Sequence, residues 1–192
     1  MMPPSHAELL SFCSNGNLKE LQGFLGETIY SLPRGEQIQY CNHAGEPCRD
    51  VPCPSKVTNL ADTATQAEQI TVFVYLWDTF LQHRGVRIPW KSLHAAARIG
   101  SIPLAEAFCA REPDCFNTIA PKSPHGGQPG VSQIGIAMRN DNFDYVNYML
   151  AHGADINSGF PDHSPVRAAV LAAVEDGKET RTFLPGLCLL HA

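Results

Sequence analysis

A chain of 192 residues with 44% hydrophobic content is long enough to bury the core of one domain. Its formal net charge of −5, with no stripe of Lys and Arg, excludes a general phosphate-backbone binder, which needs clustered cations. No apolar run reaches the about 20 residues of a membrane span, and Met1-Met2-Pro3-Pro4-Ser5-His6 lacks the charged and apolar regions of a secretory signal, so an intracellular location, cytoplasmic or nuclear, is expected.

In chain order, the first pattern occupies 5–28. Asn15-Gly16-Asn17 separates an apolar run from a second run at Leu21, Phe24 and Leu25, which predicts helix, tight turn, helix. An insert at 29–55 follows, with Cys41, His43, Cys48 and Cys53 close together and Pro47, Pro52 and Pro54 favouring extended backbone. Three thiolates and an imidazole are an accepted zinc set, but there is no C-x2-C pair and Cys41-x-His43 is cramped. Zinc and an oxidised disulfide stay open as alternatives; the reading adopted is an inert insertion, with no metal or cofactor expected.

The segment 56–86 contains small residues at Ala64 and Ala67, then Val72, Phe73, Leu76, Trp77 and Phe80 at helical spacing, a stripe expected in the core. Its end, Leu81-Gln82-His83-Arg84-Gly85, puts cations at the negative end of a helix with glycine after them. In 87–116, Leu93-His94-Ala95-Ala96-Ala97 is stopped by Gly100-Ser101, and Leu104, Ala107 and Phe108 form a second run. Gly100 supplies a left-handed position, Ser101 is expected to cap the second helix, and Pro103 falls in its first turn. Trp90 is expected to pack between units, the alternative being a face shown to the groove. A Pro, Gly and Ser-rich connection at 114–130 precedes 129–157, which repeats the order of small, apolar and polar positions and ends Gly153-Ala154-Asp155-Ile156-Asn157. At 160–178, Ser164-Pro165-Val166-Arg167-Ala168-Ala169 opens a further copy. The tail 179–192 falls outside the pattern and reads as loosely packed, as the end of a truncated array or as an association surface.

These copies form an internal repeat. Lys91-Ser92-Leu93-His94 with Ala96-Ala97 and Gly100 resembles the opening and closing of the ankyrin signature, and 132–157 is similar to its second half. Stepping back the 33-residue ankyrin period from Leu93 lands on Leu60. The resemblance implies an all-α, ankyrin-type helix-turn-helix solenoid over 1–178, with a long insert between the first and second repeats. It implies binding of another protein on the concave face, with Thr65, Gln66, Arg98, Ile99, Arg139 and Asn140 toward the partner. Arg98 and Arg139 recur at one phase and suit an acidic strip. Alternatives are a zinc-containing or catalytic protein using the insert, or a fragment of a longer repeat protein.

Catalytic patterns are absent. No nucleophile elbow, P-loop or dinucleotide turn occurs, and a Cys–His pair such as Cys115 with His125 or Cys48 with His43 needs an adjacency that sequence does not show. Cys13, Cys109 and Cys115 are expected as small buried hydrophobes. The expectation is a binding module and not an enzyme, with no nucleic acid or membrane as partner.

Overall fold

The computed structural model describes residues 4–28, 53–118 and 132–156. Most of the insert, the connection at 119–131, the expected repeat at 160–178 and the tail 179–192 lie outside them. The described residues are helical, with no strand among them, and none of their helices is long and apolar enough to cross a membrane.

Four helix pairs account for them. The first is α1 (His6–Asn15) and α2 (Leu18–Gly23), which runs on as a π turn at Phe24–Thr28. The second is α3 (Pro54–Gln66) and α4 (Ile70–Leu76), extended by a π turn at Trp77–Leu81 and a 3-10 turn at Gln82–Arg84. The third is α5 (Trp90–Ile99) and α6 (Ile102–Cys109), followed by a 3-10 turn at Cys115–Asn117. The fourth is α7 (Gln133–Arg139) and α8 (Phe143–Ala151). The first helices α1, α3, α5 and α7 pack in series, and α4, α6 and α8 form a second layer behind them.

Local sequence accounts for the ends of these helices. Ser5 and Glu8 make a reciprocal capping box at α1, with Glu8 N–H donating to Ser5 Oγ at 3.2 Å and Ser5 N–H donating to Glu8 Oε2 at 2.7 Å. At α7 the Ser132 hydroxyl accepts from Gly135 N–H at 3.2 Å. Ser101 stands at the N-cap of α6, as expected, but its side chain makes no capping bond there. Pro103 does sit in the first turn of that helix.

Each first helix closes in one way. A residue with positive φ (Gly16, Glu68, Gly100 or Asp141) is followed by one whose N–H returns to a carbonyl of the last turn. The accepting carbonyls belong to Phe12, Ala64, Ala96 and Ala137. The three alanines are spaced by 32 and then 41 residues, so the structural step behind α5 is one residue shorter than the expected 33. The slip shows at the turn: the residue 33 before Gly100 is Ala67, whereas the positive φ, 54°, falls at Glu68. It rotates the expected surface phase of α3, and Thr65 becomes a buried residue whose hydroxyl donates to Ala61 O at 2.9 Å.

The core lies between the layers. Val72, Phe73, Leu76, Trp77 and Phe80 are buried, as their spacing predicts. Phe73 stacks on Trp77 and meets Phe108 edge to face, with centroids 5.9 and 4.9 Å apart, so the second and third pairs share one aromatic cluster. Phe116 and Tyr145 continue it to the fourth pair. Gly100 has two reasons to be glycine: its φ of 81°, and an amide side chain close by. Asn142 Nδ2 donates to Ala97 O and Arg98 O at 2.9 and 2.8 Å, and a Cβ at Gly100 would lie 2.7 Å from Asn142 Cγ. Gln69 takes the same place over Gly16.

A candidate binding groove on the first-helix layer

The shared turn fixes which residues face one way. Gln66, Arg98 and Arg139 each stand two positions before the positive-φ residue of their own pair, and so share one register on α3, α5 and α7. With Asn140 they line a groove of about 530 Å³, together with Trp90, Lys91, His94, Ala95 and Ile136. Trp90, Lys91, His94 and Arg98 reach it because they lie on one side of α5.

Trp90 corrects an expectation. Assigned to the core, it is 36% exposed at the first position of α5, where no residue of a preceding turn covers it. Its ring meets His94 edge to face, with centroids 5.2 Å apart, and Lys91 Nζ lies 5.8 Å from its centroid. The i, i+4, i+8 spacing of Trp90, His94 and Arg98 puts the three on one side of α5.

The groove is cationic and contains no acid among the described residues that line it. Arg98 and Arg139 are in no ion pair with a described residue. Asp62, on α3, is the nearby acid: it is buried, and its carboxylate accepts from Ser92 Oγ at 2.5 Å. Burial raises its pKa above the usual carboxylate range, opposed by the Ser92 hydrogen bond and the Lys91 charge.

Of the expected partner-facing residues, Gln66, Arg98, Arg139 and Asn140 are exposed and gathered in the groove. Ile99 is half-buried and does not line it, and Thr65 is buried beneath the surface. Lys91, His94, Ala95 and Ile136 are the lining residues that the sequence reading missed, and Trp90 takes the second of its two expected places.

Cysteine placement follows packing. Cys13 and Cys115 are buried and Cys109 is half-buried. Burial pushes the Cys13 thiol up to about 12 and raises Cys109 and Cys115 as well, which opposes thiolate chemistry. Cys53 is buried just ahead of α3, its sulfur 3.0 Å from Ser55 Oγ, whereas Cys41, His43 and Cys48 lie outside the described residues. His125, paired with Cys115 among the thiol–imidazole candidates, lies outside them too. Among the described residues no group of three His, Cys, Asp or Glu is placed to hold a metal ion.

The chain matches no protein-family model and no curated protein sequence.

Proposed function

We propose that the protein is an ankyrin-type solenoid that works as a protein–protein interaction module, an adaptor, scaffold or inhibitor, holding its partner in the groove of the first-helix layer. The observation that carries this reading is the common register of Gln66, Arg98 and Arg139 on three successive helices beside the exposed Trp90. A stack of repeated pairs turns one position per repeat into a continuous surface, and Arg and Trp are the residues most enriched among interface anchors. Arginines in no ion pair with a described residue are available for charge-assisted bonds to a partner. The reading assigns no catalytic residue and no cofactor, and it carries an intracellular location.

The test is affinity capture from cell extract on immobilised wild-type protein and on the R98E/R139E variant, compared by mass spectrometry. The expected result is a defined protein set retained by the wild type and lost by the variant. Identical sets on both would remove the groove from the binding function.

A further inference from the structure

We propose that the occupant of this groove is a short acidic segment of a partner protein that carries one apolar side chain among its carboxylates; this rests on the binding reading above and adds the partner's chemistry. In a chain with 19 acidic and 14 basic residues, Lys91, Arg98 and Arg139 line one groove with no Asp or Glu among the described lining residues. That local sign runs against the charge of the whole chain and selects for carboxylates. Asp62 is buried and tied to Ser92; its charge acts on Lys91, while Arg98 and Arg139 are in no ion pair with a described residue. Arg98 and Arg139 offer planar forks that match carboxylates, and they lie on different helices, so two acidic groups are engaged at separate points.

Between the cations the floor is apolar. Trp90 exposes part of its ring, and Ile136 and Ala95 lie alongside it in the lining. A carboxylate gains nothing there, whereas an aliphatic or aromatic side chain covers the exposed ring. A volume of about 530 Å³ falls in the range of sites for small ligands and suits a few residues of a chain.

The experiment is selection from a phage-displayed random peptide library on wild-type protein and on R98E/R139E, with recovered peptides titrated by fluorescence anisotropy. Both arginines are exposed in the last turn of a helix, so the variant is expected to fold with a slightly lowered melting temperature. Peptides that lose at least tenfold in affinity on R98E/R139E should carry net negative charge and an aliphatic or aromatic residue. They should also weaken on W90A and with rising salt, while R98E/R139E itself should select basic peptides. Groove-dependent peptides that are neutral or basic would overturn the acidic occupant and leave the binding reading standing. Recovered peptides that all bind R98E/R139E and W90A as tightly as wild type would overturn both.

Discussion

Arg111 and Arg98 follow or end consecutive helices and meet opposite surroundings. Arg111 turns into the second layer, where Nε and Nη2 donate to the two carboxylate oxygens of Asp78 at 2.7 and 2.8 Å, and Nη1 donates to Ala107 O at 2.9 Å. Its side chain is 16% exposed, and the two bonds to Asp78 hold the end of α6 to the end of the second pair. Arg98 points into the groove and is in no ion pair with a described residue. Arg87 resembles Arg111 in part: Glu112 accepts from Arg87 Nε at 2.7 Å and from Ile88 N–H at 2.8 Å, which fastens the connection before α5 to the end of its own pair. Arg111 therefore ties the third pair to the second and Arg87 fastens its own pair, whereas Arg98 lines the groove in no ion pair with a described residue.

The joining side should fail first. Phe73 is fully buried against Trp77 and Phe108, so Phe73→Ala is expected to cost about 3–5 kcal/mol in chemical denaturation. A loss under 1 kcal/mol would deny the shared aromatic core. Gly100→Ala comes next, at about 2 kcal/mol, because the new methyl group strains a φ of 81° and displaces Asn142. Asn142→Ala alone should cost about 1 kcal/mol. The double variant should fall short of the sum, since the clash and the lost bonds share one side chain; strict additivity would separate them.

Smaller effects sharpen the contrast between the two arginines. Arg111→Ala should cost about 1–2 kcal/mol, and Arg98→Ala less than about 0.5 kcal/mol, both read from urea midpoints. Equal losses would erase the distinction between joining and spare cations. Asp62→Asn is expected to stabilise by up to about 1 kcal/mol at neutral pH. Because burial raises this carboxyl's pKa, the folded protein holds the proton more tightly than the unfolded chain does. The stability of the wild type therefore falls as pH rises above the ordinary value of 3.8, and the amide escapes that loss while keeping an oxygen for Ser92. The advantage should vanish in melts run below pH 3.8. A variant less stable than wild type at pH 7 would mean that Lys91 and Ser92 outweigh the burial.

The turns and the buried stripe are legible in the sequence, where local chemistry and tertiary packing agree. Gly16, Gly100 and Gly153 marked turns because positive φ is nearly glycine's own, and all three have it. The stripe from Val72 to Phe80 is buried because helical spacing alone puts those residues on one side. Thr65 was misplaced where that signal failed: Glu68 and Asp141 adopt left-handed backbone without glycine, and only Asp141 kept the expected phase. The capping box at Ser5 and Glu8 was present as S-x-x-E and went unread. Trp90 was misplaced because an aromatic ring reads as core from composition, whereas its exposure depends on how α5 sits between α3 and α7. The contacts of Arg111 with Asp78 and of Ser92 with Asp62 span 33 and 30 residues and follow from the stacking alone.

The most direct measurement is a side-chain NMR titration of labelled protein with a groove-selected acidic peptide, following the Arg Nε–H and Trp Nε1–H signals. The account predicts that Arg98, Arg139 and Trp90 shift in saturable fashion while Arg111 and Trp77 stay in place. Shifts at Arg111 and Trp77 with Arg98 and Arg139 unmoved would put the binding surface on the joining side and contradict it.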